Sequence, residues 1–149
     1  MKRKALFPGT FDPFTIGHDA IVKRAMRITD ELIIAIGCNS EKKTLFSIEE
    51  RIERITKIYE NTKGISVISY DTLTSDYAKL SGADFIIKGV RNIYDFEYEK
   101  NMADINRNLS GIETVLLFSE PAYTFISSGL VRELIMFNKD IFHLIPSTK

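Results

Sequence analysis

A doubly wound α/β domain on a five-stranded parallel sheet is what this sequence predicts. Five short apolar runs recur along the chain, each is followed by a stretch of helical period, and the runs are too uniformly apolar to alternate between two faces. Strands of that kind, separated by helices, belong in a parallel sheet covered on both sides. The 149 residues contain no internal repeat, low-complexity tract or Pro/Gly/Ser-rich linker, so one domain spanning 1–149 is expected.

The first strand is read at Ala5 to Phe7, stopped by Pro8-Gly9, and Ala20, Ile21, Ala25 and Ile28 share one face of the helix after it. Leu32 to Ile36 is the second strand. Ser47 then opens a helix as N-cap, with Glu50 three residues on to complete a reciprocal capping box, and Ile48, Ile52, Ile55 and Tyr59 fall on its buried face. Ile65 to Ser69, Asp84 to Ile87 and Thr114 to Phe118 are the remaining strands. Ser75 to Leu80, the polar-rich Phe96 to Leu109, and Leu130 to Phe137 are the remaining helices.

Composition excludes several classes of function. Lys plus Arg and Asp plus Glu both number 20, and a chain of zero formal net charge lacks the basic field that non-specific nucleic-acid binding requires. The longest uncharged apolar run, Leu32 to Cys38, falls far short of the ~20 residues that cross a bilayer as a helix. Met1-Lys2-Arg3-Lys4 imitates the start of a signal peptide, but the apolar stretch behind it ends at Pro8-Gly9, so a mature cytoplasmic chain is expected. The single Cys38 has no neighbouring base and is read as core or loop filler. No Cys/His cluster has zinc-ligand spacing, and no protein metal ligand is expected.

Ligands of such folds bind beyond the carboxyl ends of the strands, and four segments there are unusual. Pro8 to His18 has a Gly-containing turn, a hydroxyl at Thr10 and a histidine at a helix start, where free N–H groups favour phosphate. Turn glycines, Thr15 as a plain N-cap and a surface His18 are an equally good reading of the spacing. Ser40-Glu41-Lys42-Lys43 could offer phosphate a mobile cation, although a solvated charge run is the more usual outcome. Lys88 to Glu99 brackets Gly89 with two cations and continues into acidic and aromatic residues that also suit a helix first turn. Tyr123 to Arg132 brings hydroxyls to a helix start, as a phosphate cradle or as N-caps. His143, between Phe142 and Leu144, is read as packed or surface.

Gly9-Thr10-Phe11-Asp12-Pro13 followed by Thr15-Ile16-Gly17-His18 resembles the nucleotidyltransferase superfamily with a Thr/His-x-Gly-His signature. From end to end the chain resembles the phosphopantetheine adenylyltransferases within it. Lys88-Gly89-Val90-Arg91 and Asp95-Phe96-Glu97-Tyr98-Glu99 match their Arg-Gly-Leu-Arg and Asp-Phe-Glu-Tyr-Glu, and Ile126-Ser127-Ser128 matches their Ile-Ser-Ser. The resemblance implies a Rossmann-like fold, a homohexamer and transfer of the adenylyl group of ATP, with Mg²⁺, to 4′-phosphopantetheine. The products are dephospho-coenzyme A, in coenzyme A biosynthesis, and pyrophosphate. It implies catalytic roles for Thr10, His18, Lys42 and Arg91. Thr10, Phe11, His18, Gly89, Val90, Arg91, Glu99 and the run Thr124, Phe125, Ile126, Ser127, Ser128, Gly129 and Leu130 contact ATP on this reading. Thr10, Lys42, Thr74 and Lys88 contact the acceptor. Position 88 departs from the family arginine, keeping the charge without the bidentate fork, and Gly129 replaces a third hydroxyl. The alternatives are a sibling transferase acting on glycerol phosphate, choline phosphate or nicotinamide mononucleotide, and a nucleotide sensor without chemistry.

Overall fold

The computed structural model describes residues 1–39 and 41–148. Strands and helices alternate in the expected order: β1 (Lys4–Gly9), α1 (Ile16–Ala25), β2 (Glu31–Gly37), α2 (Ile48–Tyr59), β3 (Ile65–Tyr70), α3 (Thr74–Leu80), β4 (Phe85–Val90), α4 (Ile93–Ser110), β5 (Glu113–Phe118) and α5 (Ser128–Met136). A short 3-10 turn, Pro121–Tyr123, precedes α5. All strand pairs are parallel, in the order β3-β2-β1-β4-β5. The expected five-stranded parallel sheet is therefore present.

Alternation along β1 explains why both faces are covered. Phe7 packs with Ile34, Ile36 and Ile87 against Ile21, Val22 and Ala25 of α1 and Ile55 and Tyr59 of α2. Leu6 points the other way, with Ala35 and Ile86, onto Ala78 of α3 and Ala83. The predicted apolar face of α2 is the one that packs inward, and its capping box is formed: Glu50 N donates to Ser47 Oγ and Ser47 N to the Glu50 carboxylate. No helix among the described residues is long and apolar enough to cross a membrane.

The strand ends depart from the sequence reading in a way that matters for the site. β1 runs on through Pro8 and Gly9, which still pair with Ala35 and Ile36 of β2, and β4 runs on through Lys88, Gly89 and Val90, which pair with Leu116, Leu117 and Phe118 of β5. β1 and β4 pair with each other only at Ala5–Phe85 and Leu6–Ile86. Past that point they part, and a proline at position 8 removes no β1–β4 hydrogen bond. The strand order reverses here, and the split between two central strands opens the crevice in which such folds bind ligands.

Candidate active site

The crevice is a cleft of about 360 Å³ between the β1–α1 loop, the end of β4 and the start of α5. Thr10, Phe11, His18, Lys42, Lys88, Gly89, Arg91, Glu99, Ile126, Ser127, Ser128 and Gly129 all line it. A second, larger cleft of about 1270 Å³ lies beside it, reaching Thr74, Leu73, Tyr98 and Asn106. Thr10, Lys42, Lys88 and Glu99 line both, so the two clefts meet there. Val90 is buried at the end of β4, and Thr124, Phe125 and Leu130 do not line either cleft; the Thr124 hydroxyl donates to Pro121 O instead. Ser40 lies outside the described residues.

His18 is held by the helix it begins. Thr15 is the N-cap of α1, with its Oγ1 accepting from His18 N, and His18 Nδ1 accepts from Thr15 N at 2.9 Å, a reciprocal box closed by an imidazole. A ring nitrogen that accepts a backbone N–H carries no proton, so the proton of the neutral ring sits on Nε2 as a donor. Aromatic rings hold the imidazole: Phe11 meets it edge-on with centroids 5.1 Å apart, and Phe14 lies 5.2 Å away. Burial first, then the charges of Arg91 and Lys88, lowers the His18 pKa to about 3. Thr15 is thus the N-cap that one reading of the segment expected, and His18, which that reading put on the surface, lines the cleft.

The β1–α1 loop is tightly specified. Phe11 is buried with φ at 52°, in the left-handed region that bulky residues rarely occupy. A Cβ on Gly9 would stand 2.7 Å from its ring, so that position requires glycine. Lys42 Nζ donates to Thr10 Oγ1 at 3.1 Å, which joins two residues 32 positions apart at the meeting of the clefts.

Ion pairs hold the β4 side. Arg91 Nε contacts Asp95 at 2.9 Å, and Lys88 Nζ lies 3.4 Å from the Glu99 carboxylate. Burial pushes the Glu99 pKa up, against the opposing pull of Lys88. At the start of α5, Ser127 Oγ accepts from Leu130 N and Ser128 Oγ donates to Pro13 O, so these hydroxyls brace the loops. The remaining first-turn N–H groups of α5 lie at the positive end of that helix, where an anion is favourable.

Comparison with known proteins decides what this arrangement belongs to. A cytidylyltransferase-like family model matches residues 6–134. Phosphopantetheine adenylyltransferase of Bacteroides thetaiotaomicron is 56% identical over 97% of this chain and 95% of its own length. Those of Porphyromonas gingivalis and Oenococcus oeni are 50% and 41% identical, over 97% and 96% of this chain and 95% and 91% of their own. The chain belongs to the phosphopantetheine adenylyltransferase family. Solved structures corroborate the fold. A bifunctional NMN adenylyltransferase/ADP ribose pyrophosphatase of Francisella tularensis superposes with a TM-score of 0.73 at 14% identity, over 100% of this chain and 46% of that one. A putative nicotinate-nucleotide adenylyltransferase of Vibrio parahaemolyticus gives 0.67 at 14%, over 99% and 96%.

Several residues of this adenylyltransferase site lie in or beside the singled-out segments without having been given a role there. The buried Asp12 carboxylate accepts from Leu45 N at 2.7 Å and Phe46 N at 2.9 Å, clamping the loop that carries Lys42 onto the β1–α1 loop. Arg132 reaches back from α5 to Asp12 O, and Ser119 and Tyr123 also line the smaller cleft. Cys38, expected as filler, lines the larger cleft, where its N donates to Tyr70 O. His143 is exposed, as its sequence context allowed.

Proposed function

We propose that this chain transfers the adenylyl group of ATP to 4′-phosphopantetheine. An acceptor phosphate oxygen bonds to the α-phosphorus, the bond from that phosphorus to the β-bridging oxygen breaks, and pyrophosphate leaves with the electron pair. The observation that carries this reading is the junction of the two clefts at Thr10, Lys42 and Lys88. The triphosphate suits the smaller cleft, beside the α5 start, and the pantetheine arm the larger one, along Leu73, Thr74 and Asn106. An anionic phosphate oxygen needs no general base, so positioning and charge stabilisation carry the catalysis.

Each residue then has a part. Lys42 and Thr10 steady the acceptor phosphate against the α-phosphate, and Lys88 adds charge from β4. His18 donates from Nε2 to the α-phosphate as its charge spreads. Arg91 and the Ile126–Gly129 turn hold the departing β- and γ-phosphates, with Phe11, Gly89, Val90, Glu99 and the flanking Thr124, Phe125 and Leu130 shaping the nucleotide side. When bound, Mg²⁺ neutralises the triphosphate. The described residues include no group of three His, Cys, Asp or Glu that could cage an ion, and Asp12, Asp95 and Glu99 are already engaged. That donor set fits an ion carried mainly on the nucleotide's own phosphates and water.

We read residues 1–149 as one catalytic domain of a cytoplasmic enzyme that assembles as a homohexamer. Exposed Tyr94, Tyr98, Ile105 and Leu109 share one face of α4, an apolar stripe suited to burial against another subunit. Pyrophosphate release from ATP and Mg²⁺ tests the reaction, with 4′-phosphopantetheine, glycerol 3-phosphate and nicotinamide mononucleotide supplied separately. Turnover with the first alone is expected. Silence with all three, in a folded chain that binds ATP, would make the protein a nucleotide sensor.

A further inference from the structure

Arg51 on α2 is only 5% exposed, and among the described residues it forms no ion pair with a carboxylate. Its hydrogen bonds are all to carbonyls. Nε donates to Phe46 O at 3.2 Å and Ser47 O at 3.3 Å, and Nη1 donates to Thr10 O at 2.8 Å. A buried guanidinium without a counter-charge is costly, and carbonyl dipoles offset only part of that cost. The missing negative charge has an obvious direction of approach, because Arg51 lines the larger cleft together with Thr10, Lys42 and Lys88.

Geometry adds a second reason. Thr10 O receives the guanidinium, and Thr10 Oγ1 receives Lys42 Nζ, so Arg51 fixes the residue on which Lys42 rests. Phe46 O, on the loop that carries Lys42, receives the same side chain, while Asp12 holds that loop through Leu45 N and Phe46 N. Arg51 and Asp12 are therefore complementary clamps on the two loops that face the acceptor. The Asp12 carboxylate is likewise buried without an ion-pair partner among the described residues, but of the two clamps only Arg51 lines the larger cleft.

We propose that Arg51 is a positioning residue for the acceptor phosphate: it sets Thr10 and Lys42 in place, and its buried charge is matched when that phosphate binds. The proposal rests on the transferase reading above. Arg91 and the α5 start, where this reading puts the β- and γ-phosphates, line the smaller cleft, which Arg51 does not line, so ATP affinity depends less on this charge.

Calorimetric binding of 4′-phosphopantetheine without ATP, and of ATP without acceptor, tests it in the full chain, in Arg51→Gln and in Arg51→Lys. The glutamine variant is expected to lose acceptor affinity at least ~10-fold with ATP affinity changed less than about threefold, and the lysine variant to recover most of the loss. A parallel fall in both affinities, an unchanged acceptor affinity, or a lysine variant as weak as glutamine would each overturn it. If the glutamine variant does not fold, Arg51→Lys decides: acceptor affinity within about threefold of the parent supports the charge, and a ~10-fold loss refutes it. A parent chain that binds ATP but not 4′-phosphopantetheine would sink the transferase reading, and this inference with it. A parent that binds both while the glutamine variant matches it would sink the inference alone.

Discussion

The two sides of the crevice handle positive charge in opposite ways. On the β4 side Arg91 rests on Asp95, Lys88 on Glu99, and His18 is kept uncharged by burial and by those same cations. On the acceptor side Lys42 leans on a hydroxyl, and the buried Arg51 has only carbonyls. The cations of one side rest in ion pairs, and among the described residues those of the other have none. On the proposed mechanism those unpaired cations draw the acceptor phosphate to their side of the crevice. The cations of the β4 side also favour a neutral His18: with two of them facing it, a third charge would be unfavourable.

Removing His18 gives the largest effect and tests that contrast directly. On the proposed mechanism His18→Ala deletes a donor to the developing charge, and such donors are worth roughly 10² to 10³ in kcat. ATP affinity, which rests on the β4 and α5 side, is expected to change only a few-fold, as read by equilibrium binding. Equal losses in kcat and ATP affinity would place His18 in ground-state binding instead. Next comes the clamp between the loops. Asp12→Ala leaves Leu45 N and Phe46 N without their charged acceptor and should cost about 2–3 kcal/mol in a urea titration. Its kinetic signature is a higher KM for the acceptor than for ATP. If both KM values rose alike, the loop would not belong to one side.

A smaller effect is expected from acid. The His18 pKa is near 3 in the folded chain and near ~6.5 in an unfolded one, so below that upper value the unfolded state binds a proton that the native state refuses. Stability is therefore unaffected by this group above about pH 6.5 and falls as pH drops from there toward 3, by at most about 1.4 kcal/mol per pH unit. Thermal melts of the parent and of His18→Gln between pH 7 and 4.5 read it. The parent's melting temperature should fall more steeply, and parallel curves would show that the imidazole takes up a proton in the fold. For the same reason kcat should show no step near pH 6.5 assignable to His18.

Local chemistry was legible in the sequence, and charge compensation across elements was not. The Ser47/Glu50 capping box, the apolar face of α2 and the order of elements depend on neighbours a few positions apart, and each was readable. Lys42 was placed beside the reacting groups by family resemblance, since its own segment reads as a solvated charge run. The split between β1 and β4 depends on strand pairing over some 80 residues of sequence separation, and Lys88 and Gly89 read as loop residues although pairing with Leu116 and Leu117 of β5 makes them strand. α4 begins three residues before the expected Phe96, because Asn92 caps it through Asp95 N, a signal that the acidic run obscured. Arg51 sits in a helix flanked by Glu49, Glu50 and Glu53, and nothing in that local pattern marks it as buried. Only the folding of the β1–α1 loop over it makes it a buried charge.

The smallest predicted effect lies where the two sides touch. Lys88 lines both clefts and is held by Glu99, so it belongs to the ion-paired side at rest and faces the acceptor side during the reaction. A lysine offers a point charge that must leave its carboxylate to meet a phosphate, whereas an arginine can keep one edge on Glu99 and present the other in a fixed fork. Lys88→Arg is therefore expected to tighten acceptor binding a few-fold, with ATP affinity and kcat little changed. Pairing the change with Glu99→Gln separates the two contributions. If the carboxylate's hold on Lys88 is what weakens acceptor binding, Glu99→Gln should raise acceptor affinity in the parent and do little in Lys88→Arg. An equal gain in both backgrounds would mean that the fork, not the release from Glu99, is what lysine lacks.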